Sequence, residues 1–288
     1  MVETFGNNIV GAFTGGQSVE AIYTGSVKVW PDSPVPSGQY YIKWWPKDLS
    51  GSFVIGGEAR WLQDYNGFYS GPFLSGNWTY GSGYMIDSNA FESTGVVAIE
   101  TNLGLIGKAA FASCSSLVYF SASKFFAMPN MRVGAFIFNS CTSLTTLYLP
   151  EVVAVATGCF QNCDALHYLY LPKCSVVTEY AINYCDNLVY IDLPACKIVD
   201  NDAFEYCPNL RDVRLDICSS IGTSAFWHCS NLNTLYLGYS GVCSGLGLTN
   251  TNTAFSSSGS IYVPLEWVSE YKSQYSYWAS HFYPIAHE

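Results

Sequence analysis

Charge is what this 288-residue chain has least of: Asp, Glu, Lys and Arg together make up 12% of it, about half of the usual ~25%. Basic residues are the scarcer sign, 12 Lys and Arg against 22 Asp and Glu, for a formal net charge of −10. That balance removes the electrostatic attraction that supplies most nucleic-acid affinity, so DNA and RNA are excluded as expected partners. No apolar run approaches the roughly 18 residues of a spanning helix, so membrane insertion is not expected. The opening stretch MVETFGNNIVGAFTGGQ has neither the basic nor the sustained apolar segment of a secretory leader, so Sec-type export is not expected either. Also missing are H-E-x-x-H, a Walker loop, G-x-S-x-G and a dinucleotide-binding glycine motif in a strand-to-helix setting. The expectation is a protein that is not an enzyme and needs no cofactor. Low charge does not mean disorder here, because 49% of the residues are hydrophobic and 16% aromatic, enough to bury a core.

Cysteine is abundant, with 11 residues, and its spacing is informative. Cys141, Cys163, Cys185, Cys207 and Cys229 fall 22 residues apart, Cys114 precedes them by 27, and Cys174, Cys196 and Cys218 form a second series at the same period. A fixed period of this size marks a solenoid or array. The units CDALHYLYLPKCSVVTEYAINY, CDNLVYIDLPACKIVDNDAFEY and CPNLRDVRLDICSSIGTSAFWH share the frame C-x-x-L-x-x-[LIV]-x-L-P-x-C-x-x-[VI]-x-x-x-A-[FI]-x-x. Asp216 and Gly238 replace the proline, and Cys159 and Ile182 depart from the Ala-Phe pair. One unit is too small to bury its own apolar side, so units must stack and bring equivalent slots into columns. The cysteines are then expected as buried, reduced thiols, where a substituted hydroxyl has no assured partner. Disulfides are disfavoured for a chain made in a reducing compartment. Zinc is not expected, because the nearest candidate, Cys159-x-x-x-Cys163, has no second pair.

Within each unit the segment typified by Leu166-His-Tyr-Leu169-Tyr-Leu171 alternates inward leucines with outward residues, as a half-buried strand requires. The outward slot before the last leucine reads Ser121, Tyr148, Tyr170, Asp192, Arg214 and Tyr236, with Tyr262 in a final partial strand. Two residues earlier the column reads Tyr119, Thr146, Tyr168, Tyr190, Asp212 and Thr234. The candidate ligand-binding residues are therefore Tyr148, Tyr168, Tyr170, Tyr190, Asp192, Asp212, Arg214 and Tyr236. Aromatic faces stack on apolar sugar faces, and carboxylates and guanidinium groups hydrogen-bond hydroxyls. The tyrosines also fit a plainer role, laddering across neighbouring strands.

The repeated frame resembles the leucine-rich repeats of the BspA-like (Treponema-type) family over roughly residues 90–264. The resemblance implies a repeat solenoid, an arc with one short parallel strand per ~22-residue repeat, used for adhesion and ligand contact. A small β-rich N-terminal module precedes the repeats and a C-terminal helix closes them. The divisions are a β-hairpin attachment segment at 1–31, a Pro-rich linker at 32–37, an aromatic-rich β module at 38–88, repeats at 89–264 and a helical cap at 265–288. The hairpin is read from VEAIYTGSVKVW, alternating on both sides of Thr24-Gly25-Ser26. Its V-x-x-I-Y-x-G-x-x-K-V-W-P pattern resembles the leading element of gut-bacteriophage virion proteins. Around Tyr41-Ile42-Lys43-Trp44 and Glu58-Ala-Arg-Trp61 the aromatic module resembles part of a galactose-binding-like jelly roll; cap or core for the first repeat is the plainer role. Leu265, Val268, Tyr271, Tyr275, Trp278 and Phe282 follow three- and four-residue steps after Pro264, the face of an amphipathic helix that Pro284 ends.

Two functions from different settings follow. One is a virion-borne protein of a bacteriophage, attached to other virion proteins through the N-terminal segment and binding a host cell-surface glycan or protein with its concave face. The other is a BspA-like adhesin on the surface of a gut bacterium. Self-association is left open.

Overall fold

A 22-residue coil buries its leucines only against another coil, and the backbone shows how the coils meet. The computed structural model describes residues 22–24, 27–30, 41–45, 53–56, 61–63, 70–72, 74–75, 85–86, 88–96, 98–101, 105–122, 134–239, 241–246 and 259–285. Before Ile86 only the backbone is described. Residues 124–130 and 247–253, the linker at 32–37 and the Glu58-Ala-Arg part of the jelly-roll likeness lie outside the described residues.

The principal sheet is parallel and runs Tyr168–Tyr170, Tyr190–Asp192, Asp212–Leu215, Thr234–Leu237, Ser260–Val263 and Phe282–Pro284. Its register keeps equivalent slots paired, Leu169 with Ile191, Ile191 with Val213 and Val213 with Leu235. The repeats are a parallel-strand solenoid, as expected, but four coils carry a second strand of two residues. Ala154–Val155, Val176–Val177, Ile198–Val199 and Ser220–Ile221 form their own parallel ladder. The period-2 signal is too short to detect at this length.

Inside, the columns are apolar and closed. Leu144, Leu166, Leu188, Leu210 and Leu232 are each fully buried. Phe111, Phe138 and Phe160 stack at 5.5 Å between successive ring centres, and Phe204 meets Phe226 at 5.3 Å. Such pairs add about 0.5–1.5 kcal/mol each beyond their buried area. All 11 cysteines are buried and free, and the thiol column is better satisfied than spacing alone implies. Each S–H in the first series donates to a carbonyl of the preceding coil: Cys163 to Phe138 at 3.2 Å, Cys185 to Phe160 at 3.1 Å, Cys207 to Ile182 at 3.2 Å and Cys229 to Phe204 at 3.1 Å. In the second series Cys174, Cys196 and Cys218 bond the carbonyl two residues ahead. Burial pushes the Cys114 thiol up to about 11 and that of Cys174 up to about 12. Neighbouring thiols draw Cys207 and Cys218 the other way by hydrogen bonding within their columns, yet a thiolate there is stripped of water, and burial keeps the columns neutral.

The corner holding the Ala-Phe pair is built on left-handed residues, two per coil and four apart: Gly158 and Asn162, Tyr180 and Tyr184, Asp202 and Tyr206, Ser224 and His228. Between them the peptides bond along the stack, Phe160 N–H to Ala181 C=O at 2.8 Å and Ile182 N–H to Ala203 C=O at 2.9 Å. The conformation costs a residue with a Cβ roughly 1–2 kcal/mol, least for Asn and Asp, so the tyrosines here are held by the ladder.

Both ends differ from the sequence expectation in detail. At the first end Tyr41–Trp45 pairs antiparallel with both Phe53–Gly56 and Ala98–Thr101, extending the sheet of the first coils. Tyr119, read as outward, is 2% exposed. At the other end the expected single helix over 265–288 is broken into a 3-10 turn Leu265–Trp267, an α-helix Val268–Gln274 and a second 3-10 segment Ser276–His281. Leu265, placed on the apolar face by spacing, is 60% exposed, whereas Tyr271, Trp278 and Phe282 are buried. Pro284 ends no helix; it sits in the strand that pairs with Ser260–Val263, at a sheet edge where a missing N–H is tolerated. The Tyr271 hydroxyl accepts from the Cys243 N–H and the Tyr275 hydroxyl donates to the Cys243 C=O, both at 2.8 Å.

Small alkylating reagents should therefore leave the thiols unmodified in the folded chain and react once it is denatured; rapid native-state labelling of most of them contradicts the stacked columns. Cys185→Ser is expected to cost about 1 kcal/mol in chemical denaturation, because the hydroxyl inherits the Phe160 carbonyl instead of being orphaned. Truncation after Val263 bares both the last strand and the surface under Tyr271, Trp278 and Phe282, and loss of the monomer peak in size-exclusion chromatography is the expected outcome.

Candidate functional site

Strand alternation points every second residue of the principal sheet away from the core, and the parallel register lines those residues into two rows. Tyr168, Tyr190, Asp212, Thr234 and Ser260 form one; Tyr170, Asp192, Arg214, Tyr236, Tyr262 and Tyr283 form the other. Rungs within a row are about 4.8 Å apart, and the rows are separated by two residues along each strand, about 6.6 Å. Seven of the eight residues named from the sequence are thereby brought onto one surface. Tyr148 lies at the equivalent slot of Thr146–Tyr148, which pairs with Tyr119–Ala122 in the sheet of the first coils and not with Tyr168–Tyr170; its side chain lies outside the described residues. Tyr283 was missed. Helical spacing masked it, although it falls 21 residues after Tyr262.

Tyr168 and Tyr170 are open to solvent, 57% and 52% exposed, while Tyr190, Asp192, Asp212 and Tyr236 are half-buried between rungs and Arg214 is exposed. Electrostatics concentrate around Arg214. Its Nε donates to Asp216 Oδ1 at 2.8 Å and its guanidinium lies 5.5 Å from the centre of the Tyr236 ring, a cation–π distance. Asp192, one rung away, is pushed up by burial, with Arg214 opposing the shift, and it interacts with the Tyr190 hydroxyl. Asp192 Oδ1 is buried without a hydrogen-bond partner among the described residues. The surface combines aromatic faces, carboxylates and one guanidinium. Among the described residues no group of three or more His, Cys, Asp and Glu side chains is placed to hold a metal ion, and no helix is long and apolar enough to cross a membrane.

Stacked coils of about 22 residues, each placing a short strand in one parallel sheet above an apolar interior, define a leucine-rich-repeat protein. The profile of the BspA type leucine rich repeat region, in six copies, matches residues 84–211 and 126–233, together just over half of the chain, and the chain belongs to that family. Among solved structures, a leucine-rich repeat protein from Bacteroides ovatus is 17% identical with a TM-score of 0.44, covering 67% of this chain and 62% of that one. The chain thus spans less than two thirds of that protein's length. A leucine rich repeat protein from T. pallidum is 19% identical with a TM-score of 0.37, covering 56% of this chain and 88% of its own. A leucine rich cell surface protein from Faecalibacterium prausnitzii is 16% identical with a TM-score of 0.31, covering 89% and 96%. No curated protein matches in sequence.

The raised Asp192 carboxyl has a sign that can be checked. A carboxyl with a higher pKa in the fold than in the unfolded chain binds protons more readily when folded, so stability falls as pH rises through the interval starting at the ordinary value near 3.9. Asp192→Asn should therefore raise the melting temperature at pH 7 and leave it unchanged near pH 3, where both forms are neutral. A lower melting temperature at pH 7 would mean that the ionised carboxylate is held by its neighbours.

Proposed function

We propose that this chain is a non-enzymatic binding protein whose sheet face contacts a glycan or protein on the surface of a host cell. The observation that carries the reading is the alignment of Tyr168, Tyr170, Tyr190, Asp192, Asp212, Arg214 and Tyr236 in two outward rows, prolonged by Tyr262 and Tyr283. Sugar rings stack on tyrosine faces, and hydroxyls find acceptors at Asp192 and Asp212 and a donor at Arg214. Each contact is weak. Several rungs acting together, and many copies displayed on one particle or cell, supply the avidity, where about 10²- to 10⁴-fold is gained without a new contact.

For the setting, the virion reading draws on the V-x-x-I-Y-x-G-x-x-K-V-W-P segment, whose strands Ile22–Thr24 and Val27–Trp30 pair antiparallel. In this reading the hairpin attaches the chain to other virion proteins. Family membership favours the second setting, a cell-surface adhesin of a bacterium. Mass spectrometry of purified phage particles against envelope fractions separates the two. For the binding face, particles or an artificially multimerised chain carrying Tyr168→Ala, Tyr170→Ala and Tyr190→Ala are expected to lose at least ten-fold in adsorption to cells with intact capsule. Unchanged adsorption by a folded triple variant removes the sheet face as the recognition surface.

A further inference from the structure

Away from the sheet face, the left-handed corner carries a second aromatic surface. Tyr184 and Tyr206 stack at 4.7 Å between ring centres and 9° between planes, Tyr206 and His228 at 4.4 Å and 21°, and Trp227 meets Tyr206 edge-on at 5.4 Å. These rings contribute no wall to the core: Tyr184 is 40% exposed, and Tyr180, at the other left-handed slot of the same coil, is 37% exposed. Tyr184 and Tyr206 occupy left-handed slots whose backbone disfavours bulky side chains. The preceding coils place Ser140 and Asn162 in the same column, so the corner closes without an aromatic residue. Bulk at a position where it opposes the backbone, on a surface that it does not seal, is the pattern of a side chain kept for contact.

The charge around these rings is of one sign. Asp202, Glu179 and Glu205 all lie close enough to Tyr180 to act on its hydroxyl, and Glu205 acts on Tyr184 as well. Neither lysine nor arginine occurs in the corner segments 179–184, 201–206 and 223–228, nor anywhere between Arg214 and Lys272. The two faces of Tyr206 are covered by Tyr184 and His228, so the column offers the outer face of Tyr184, where the next slot is Asn162, together with ring edges and Trp227. A guanidinium stacks on such a face while its N–H groups reach adjacent carboxylates, and Tyr and Trp are the residues in which interface energy concentrates.

We propose that the corner column Tyr184, Tyr206 and His228, with Tyr180, Trp227, Glu179 and Asp202, is a second binding site that takes an arginine-bearing segment of a partner protein. It stands independently of the sheet face and of the ligand proposed there.

The test measures binding of a fluorescein-labelled nine-arginine peptide by anisotropy over a salt series. The intact chain is compared with Tyr184→Asn plus Tyr206→Asn, with Glu179→Gln plus Asp202→Asn, and with the sheet-face variant Tyr168→Ala, Tyr170→Ala, Tyr190→Ala. Asn is the residue that the corner itself uses at position 162 and is at ease in the left-handed conformation, so the first variant should melt no lower than the intact chain. It also leaves the net charge unchanged, which separates a site from general attraction to an acidic protein. The expected result is a loss of at least five-fold for the tyrosine variant, a loss with a shallower salt dependence for the carboxylate variant, and no change for the sheet-face variant. Equal binding by the intact chain and the tyrosine variant, absence of binding by the intact chain, or an equal loss in the sheet-face variant each overturns the proposal.

Discussion

Everything in this molecule depends on each coil finding its neighbour in register. A single coil leaves its leucines, its cysteine and its Ala-Phe corner facing nothing, and its backbone groups half satisfied. Stacking resolves both deficits at once: Leu169, Ile191 and Val213 close one above another, and the corner peptides bond from coil to coil. The thiol is a small part of the same device. A cysteine fills its slot with a small buried side chain, and its S–H reaches a carbonyl of the coil before it, so a residue usually valued for reactivity serves as a packed and weakly bonded spacer.

The same register that builds the core also builds the outward faces. Once inward slots are aligned, outward slots have no choice but to align as well, which is how residues 22 positions apart, such as Tyr170 and Asp192, become adjacent rungs. Selection can then write a surface one residue at a time without disturbing the stack. The sheet face has been written with tyrosine, aspartate and a single arginine, the corner with stacked rings beside carboxylates. On the sheet face burial opposes the charge of Asp192, a local cost to stability at neutral pH.

A stack of this kind has two raw ends, and the chain treats them differently. An antiparallel strand, Tyr41–Trp45, lies along the first coil, reversing direction and so ending the parallel ladder. Short helical turns close the other end, with Tyr271 and Tyr275 holding the backbone of Cys243 and a final strand that terminates in proline. Both arrangements leave an edge to which a further coil is poorly matched.

Period and polarity were legible in the sequence because they are repeated: five cysteines at one spacing and leucines alternating with polar residues suffice to place the strand, its inward side and seven of the eight candidate residues on a common surface. Tyr148 could not be separated from them, since its slot is equivalent and only the pairing of strands shows that it belongs to the other ladder. Features without a repeat were not legible. The steps from Leu265 to Phe282 mimic one helix, and only contact with the last coil breaks it into turns, exposes Leu265 and adds Tyr283 to the outward row. The burial of Tyr119 is likewise invisible in a column where its counterparts Tyr168 and Tyr190 face outward. The left-handed corners belong to the same class, for Tyr184 and Tyr206 have no intrinsic preference for that conformation and adopt it because the coils on either side hold the peptides between them. What recurs along the chain is encoded locally and can be read there; what happens once, at an end or a corner, is decided by the surface it meets.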